Sequence, residues 1–332
     1  MSLLNLKLNQ KIFDKDVEAS PIRMGFGEGL LEAGKKDKRV VALCADLTDS
    51  TYMYMFKKEF PDRFIEMGVA EQNLAATASG MAAMGKVPFI SSYAMFSPGR
   101  NWEQIRTTIA YNNRKVIIVG SHAGVSVGAD GGTHQAIEDI ALMRVVPRMT
   151  VITPCDAIEA KKATLAALAS PGSVYIRLQR EKTPVITTEE TPFEIGKANI
   201  LYASAGEFER RVGIIACGAL VYNALLAAKQ LEEKKIGVTV LNMATIKPID
   251  REKVLVLAKE THALVTVEEH QVTGGLGGAV AEFLSANHPT KIVFVGIKDE
   301  FGQSGKPNEL IEHYGMGVGS IVNAAKEALK KD

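Results

Sequence analysis

Two short stretches of this 332-residue chain hold side chains that can move protons or grip a polar ligand. The first is GSHAGVSVGADGGTHQAIEDIALMR, residues 120 to 144. Its glycines at 120, 124, 128, 131 and 132 free the backbone to approach a ligand closely. Among them stand His122, Asp130 and His134, so two of the chain's six histidines share one loop. Such a polar wall could handle the hydroxyls and protons of a small substrate. The same composition also suits a structural Ω-loop whose polar groups bond its own backbone. A metal site is disfavoured, because the H-x7-D-x3-H spacing has no cysteine nearby and no supporting pattern. The second stretch is FIEMGVAEQNLAATASGMAAMG, residues 64 to 85, in which Glu71 precedes a run of small apolar residues. That run reads as a tightly packed buried helix. A carboxylate at its mouth is costly to bury without a partner, although a helix-terminal Glu favoured by the macrodipole by ~0.3–1 kcal/mol is the ordinary alternative.

The elements that position these groups alternate. Short β-branched runs (RVVALCADL, FIEMGV, KVPFISSY, KVIIVGSH, TVITPCD and SVYIRLQR) interleave with helical patterns, which predicts a mostly parallel α/β sheet flanked by helices. NWEQIRTTIAYN and AIEAKKATLAALAS read as helices of this unit. A stretch rich in Thr, Pro and charge follows Arg180 and reads as a linker with one or two edge strands. A second α/β unit then takes its strands from RVGIIACGA, GVTVLNMATI, HALVTVEEH and KIVFVGIKD. The expected organisation is an N-terminal extension over residues 1–19, a first domain over 20–182, a linker over 183–209 and a second domain over 210–332.

Composition narrows the function. Lys plus Arg number 39 and Asp plus Glu 38, a net charge of +1, with no basic stripe for nucleic acid or an anionic membrane surface. Cys44, Cys155 and Cys217 are far apart in apolar strand contexts, which suggests buried thiols in a reducing compartment. The start lacks the order of a signal peptide, and the longest apolar run, from Val212, is broken by glycines and Asn223. A soluble cytoplasmic protein is expected. TGGLGGAVAEFL follows a strand, but its spacing is not that of a dinucleotide turn; His270 and Glu269 beside it read as interface or loop-fixing groups.

Taken together, MGVAEQN, ADLTDS and VGADGGTHQAIEDIALMR resemble the pyrimidine-binding domain of the transketolases, which use thiamine diphosphate. GVTVLNMATIKPID and VTVEEHQVTGGLGGAV resemble the carboxy-terminal domain of the same family, and the likeness runs from about Pro21 to the end. The resemblance implies a role for Glu71: its carboxyl meets N1′ of the cofactor's aminopyrimidine and shares a proton with it, which lets the 4′-nitrogen take the proton from C2 of the thiazolium. An apolar pocket would raise the pKa of such a carboxyl. Tyr93 and Phe96 in SSYAMFSPGR match aromatics that stack on and flank the pyrimidine. A further aromatic of the family falls at Gly99, with Trp102 as a candidate substitute. Arg23, Ser50, His122 and Arg180 match the site for the substrate's phosphate, which two guanidiniums can grip. Asp130 and His134 match residues that contact substrate hydroxyls near the reacting carbons. Surface arginines, a helix-capping Ser and core aromatics remain the ordinary readings of these positions one by one. The sequence GGTHQA departs from the family's proline-flanked pattern at Gly132 and Ala136, which would loosen the loop.

The Gly-Asp-Gly and downstream Asn that bind magnesium and diphosphate in the family have no counterpart here outside GADGG. The resemblance therefore implies the carboxy-terminal subunit of a split transketolase. A separate N-terminal subunit would supply the diphosphate and Mg2+ half, and this chain would meet a second copy of itself in a heterotetramer. The implied reaction moves a two-carbon ketol unit from a ketose phosphate such as xylulose 5-phosphate to an aldose phosphate. A 2-oxoacid dehydrogenase β subunit, a deoxyxylulose phosphate synthase-like subunit and a non-catalytic assembly subunit stand as alternatives. His122 favours sugar chemistry over the first two, and the presence of Glu71 and both loop histidines counts against the third.

Overall fold

In the computed structural model, which describes residues 7–330, two parallel sheets carry the chain. The first is seven-stranded, in the order Thr245–Lys247, Thr150–Ile152, Val174–Arg177, Ile117–Ser121, Val87–Tyr93, Val40–Cys44 and Phe64–Glu66. All its pairs are parallel except the edge strand Thr245–Lys247. The second is five-stranded, in the order Ile292–Ile297, Ala263–Gln271, Arg211–Ala216, Gly237–Asn242 and Asn199–Ala203, with the last strand antiparallel. The central apolar strands predicted from sequence are buried on both faces, as parallel sheets between helices require, while the edge strands Phe64–Glu66 and Ile292–Ile297 are partly open. Phe26, Leu30, Val40, Ala42, Phe89 and Ile117 pack on one face of the first sheet, and Leu43, Leu74, Ala75, Ile90 and Ile118 on the other.

Three details decide where chemistry can sit. The helices Ile22–Lys36 and Ala157–Ala169 cross so closely that a Cβ on Gly25 would lie 1.8 Å from the Ala157 carbonyl oxygen. This contact anchors the turn of helix that carries Arg23. Next, GVTVLNMATI is not one strand. Gly237–Asn242 stays in the second sheet, the chain turns at Met243 and Ala244, and Thr245–Lys247 pairs with Thr150–Ile152 of the first. Thr153 N donates to Ala244 O at 2.7 Å to fix the turn. The two units are therefore stitched together through a shared sheet. Finally, the helix Glu71–Ala83 is buried on one face only, contrary to the sequence expectation. Glu71, Leu74, Ala75, Ala78 and Ser79 face the sheet, while Gln72, Asn73, Ala76 and Gly80 are open to solvent. The helix lies against Val87–Tyr93 and Ile105–Tyr111, and Ser79 Oγ donates to Thr108 O at 2.6 Å, so among the described residues only that side has a neighbour.

The helix expected in NWEQIRTTIAYN begins as an α-turn at Trp102–Gln104 and widens to π winding over Ile105–Tyr111. In the stretch expected to link the units, Lys182–Pro184 pairs antiparallel with Ala19–Pro21, and Asn199–Ala203 forms the edge strand of the second sheet. Of the extension expected over residues 1–19, residues 1–6 lie outside the described residues. Beyond them the chain straps onto the second unit: Leu8 and Ile12 are buried, and Asn9 Nδ2 donates to Val185 O at 2.7 Å. All three cysteines are buried and free. Among the described residues no helix is long and apolar enough to cross a membrane.

Candidate active site

The side chains singled out in the sequence gather at the carboxyl ends of the first sheet's parallel strands, where open α/β sheets bind ligands. Glu71 follows Phe64–Glu66, Tyr93 ends Val87–Tyr93, His122 follows Ile117–Ser121 and Arg180 follows Val174–Arg177. Four of the parallel strands thus each deliver one group to the same rim.

Glu71 is 2% exposed. Its surroundings are polar rather than the apolar pocket expected: Ser92 Oγ donates to Oε1 at 3.2 Å and Arg100 Nη1 to Oε2 at 3.1 Å. Asn101 Nδ2 bonds the Glu71 carbonyl oxygen at 2.9 Å and holds the first turn of the helix against the loop 94–101. The Arg100 guanidinium also lies over the Phe96 ring, 4.9 Å from its centroid. Arg100 was not singled out in the sequence, although it closes SSYAMFSPGR four residues after Phe96. It shows that this corner holds a planar group that donates N–H to Glu71 while lying over Phe96.

Tyr93 and Phe96 form a shelf with rings nearly parallel, 18° apart and 6.4 Å between centroids. One face of Tyr93 is already taken by the His122 imidazole, stacked at 3.8 Å. His134 meets Phe96 edge-on at 5.4 Å and Tyr93 at 6.4 Å, and its Nδ1 contacts Thr133 Oγ1 at 3.0 Å. Glycine at position 99 has a local reason: a Cβ there would lie 1.9 Å from the Met95 carbonyl oxygen, so the turn has no room for an aromatic. Trp102 does not replace it, because its Nε1 donates to Leu142 O at 2.9 Å and its ring packs into the core. The guanidinium of Arg100 covers Phe96 instead.

The far end of the shelf is cationic. Arg23 donates through Nη1 to the Ser50 carbonyl oxygen and through Nη2 to the Arg180 carbonyl oxygen at 2.8 Å, with His122 Nε2 3.4 Å from Nη1. It is thus the backbone of Ser50, not its hydroxyl, that meets Arg23. These contacts leave Nε–H, which is buried without a partner among the described residues, and one Nη2 hydrogen for a ligand. Burial, with Arg180 adding to it, holds the Arg23 pKa below its ordinary value. The same forces act on His122: burial first, then Arg23 and Arg180, push its pKa down to about 2. His122 is therefore a neutral imidazole, not a further cation beside Arg23 and Arg180. With Nε2 assigned as the acceptor facing Arg23, Nδ1–H donates to Ser121 Oγ at 2.8 Å. Its φ of +53° is left-handed, so the backbone is strained to turn the ring inward. Asp130 is exposed and its Oδ1 lies 3.7 Å from Arg180 Nη1. All nine sequence-selected residues thus join one connected group. Among the described residues no set of three or more His, Cys, Asp or Glu is placed to hold a metal ion.

Comparison with known proteins places the whole chain. Residues 18–185 match the family model of the transketolase pyrimidine-binding domain, and residues 196–321 that of the transketolase C-terminal domain. The chain belongs to the transketolase family. It is 41% identical over 319 residues to the 6-deoxy-6-sulfo-D-fructose transketolase subunit of a Clostridium species, covering 96% of this chain and 98% of that protein. A solved structure described as a split-gene transketolase, in an inactive beta4 tetramer, aligns with a TM-score of 0.85 and 42% identity, covering 93% of this chain and 98% of the other. Against rat transketolase the identity is 36% over 325 residues, and the match spans 97% of this chain but 51% of the rat protein. The chain is the carboxy-terminal section of a transketolase, and its subunit-length relatives correspond to the same section.

Proposed function

We propose that this chain is the C-terminal subunit of a split transketolase, transferring a two-carbon ketol unit from a ketose phosphate to an aldose phosphate. A separate N-terminal subunit binds the diphosphate and Mg2+ of thiamine diphosphate, and two copies of each subunit assemble as a heterotetramer in the cytoplasm, serving pentose phosphate metabolism. The observation that carries this reading is one polar axis. A buried carboxylate stands at one end of an aromatic shelf and a pair of guanidiniums at the other, with His134 beside the shelf.

When bound, thiamine diphosphate supplies a carbon nucleophile at thiazolium C2, which no protein side chain can provide. Glu71 holds the proton at ring nitrogen N1′, and Tyr93 with Phe96 supports the ring. Glu71 must exchange Arg100 for the ring; the half-exposed arginine has solvent to move into. Arg23 and Arg180 orient the phosphate end of the sugar, and neutral His122 fixes Arg23 from behind. His134 and Asp130 orient substrate hydroxyls, with His134 positioned to pass a proton to or from them.

The test is turnover by this chain mixed with its N-terminal partner, with ketose phosphate and with pyruvate as alternative donors. Ketol transfer only in the mixture, lost with Glu71→Gln, supports the proposal. Pyruvate turnover, or a mixture that binds the cofactor but transfers nothing from any ketose phosphate, would overturn it in favour of 2-oxoacid chemistry or a silent subunit.

A further inference from the structure

The loop that carries His122, Asp130 and His134 belongs to the first unit, yet much of what holds it comes from the second. Its backbone is left-handed at His122, Gly124, Gly128 and Gly131, with φ of 53°, 86°, 85° and 77°. Such a path persists only where surrounding contacts impose it. The deepest contact is Glu269, from the strand Ala263–Gln271, which is 2% exposed. Its Oε1 accepts from Ser126 N at 2.7 Å. Glycine at position 124 makes the approach possible, since a Cβ there would lie 2.2 Å from the same oxygen. The carbonyl oxygen of Glu269 accepts from Arg177 Nη2 at 2.7 Å, and the same nitrogen reaches Ala136 O, at the other end of the loop, at 3.3 Å. Gln135 and Ser304 add looser ties, through Gln303 O at 3.0 Å and Ala129 O at 3.1 Å.

We infer that Glu269 is a positioning residue of the C-terminal unit: through its bond to Ser126 it fixes the glycine loop so that His122 and His134 reach the aromatic shelf. No ring contact joins it to Tyr93 or Phe96, so it acts through the loop. The inference rests on the ketol-transfer reading for its catalytic meaning and on the contacts alone for its structural one. Glu269 is also a buried carboxyl whose pKa burial raises, and among the described residues its Oε2 has no partner, so its place is not explained by packing.

The experiment is amide hydrogen exchange over residues 120–136 in the full chain, comparing wild type with Glu269→Met, Glu269→Asp and Glu269→Gln. Met keeps the length without an acceptor, Asp keeps the charge but withdraws it, and Gln keeps an oxygen at the same reach. Exchange around Ser126 should rise about 10-fold or more with Met and Asp and stay within about 3-fold with Gln. The strand Ile117–Ser121 should keep its protection in each variant. Asp gives the reading if Met fails to fold. In the complex, Asp should raise KM for the ketose phosphate more than it lowers kcat. Unchanged loop exchange in Asp and Met, or loosening by Gln equal to that by Asp, would overturn the inference. A wild-type complex without ketol transfer would instead overturn the proposed function and leave the loop result standing.

Discussion

Replacing Arg100 by methionine should destabilise the chain although Arg100 itself is half exposed. The pair it makes is asymmetric: the Glu71 carboxylate is 2% exposed and the Arg100 side chain 49%. Without Arg100, Glu71 keeps the Ser92 hydroxyl at 3.2 Å as its one side-chain donor. Breaking a fully buried pair from one side costs about 3–5 kcal/mol, whereas an exposed pair contributes about 0–1 kcal/mol. Water reaches the arginine half, so the cost should fall between them, at about 1–2 kcal/mol. Methionine still covers Phe96, so the loss reports the charge and its hydrogen bond rather than packing. The assay is urea unfolding of the chain without cofactor, for wild type, Arg100→Met, Glu71→Gln and the double variant. The neutral amide introduced by Glu71→Gln no longer needs a cation, so the double variant should recover about 1 kcal/mol relative to the sum of the singles. If Arg100→Met costs nothing and the cycle shows no coupling, the ion pair does not form in solution and the reasoning about this corner fails.

Further perturbations probe the frame behind the site. Arg177→Met should cost about 3–5 kcal/mol, because Arg177 Nε bonds both oxygens of buried Asp139 at 3.1 and 2.9 Å; adding Asp139→Asn should recover part of it, read as the melting temperature. Glu159 is buried and its pKa is raised to about 7, by burial first and then by Asp156. A raised folded-state pKa gives stability below 4.5 that is lost as pH rises through 7, and the gap corresponds to roughly 3 kcal/mol. Glu159→Gln removes that loss, so its stability relative to wild type should climb by about this amount between pH 4.5 and 8; a flat difference would refute the assignment. Gly25→Ala should cost about 3 kcal/mol or more, since the new methyl meets the Ala157 backbone at 1.8 Å and forces the two helices apart. A melting temperature like that of wild type would contradict this.

The strands and the residues at their carboxyl ends were legible in the sequence, because parallel strands are continuous apolar runs and the loops after them concentrate polar groups. The group of Glu71, Tyr93, Phe96, His122, His134 and the arginines was marked as one site by the resemblance to the transketolases rather than by pattern, and the register of the strands explains why most of it meets at one rim. Other features depend on contacts distant in sequence. Arg100 reaches Glu71 across 29 residues, and nothing local marks it as a partner. GVTVLNMATI reads as one strand because no glycine or proline interrupts it after Gly237, whereas its last residues complete the other sheet. The helix after Glu71 is rich in small side chains, yet the face with Gln72, Asn73, Ala76 and Gly80 is open; small side chains signal close packing without saying on which side. Nothing local in the sequence says that burial, and then two guanidiniums brought from distant segments, keep the His122 imidazole neutral.

The central claim is that the Glu71 carboxyl governs proton loss from thiazolium C2. The most direct measurement is deuterium exchange at C2 of thiamine diphosphate bound to the complex of this chain and its N-terminal partner, followed by quench and NMR. Exchange in the wild-type complex should be far faster than for free cofactor, and Glu71→Gln should slow it by at least ~100-fold while the cofactor still binds. Equal exchange rates in wild type and Glu71→Gln would contradict the account.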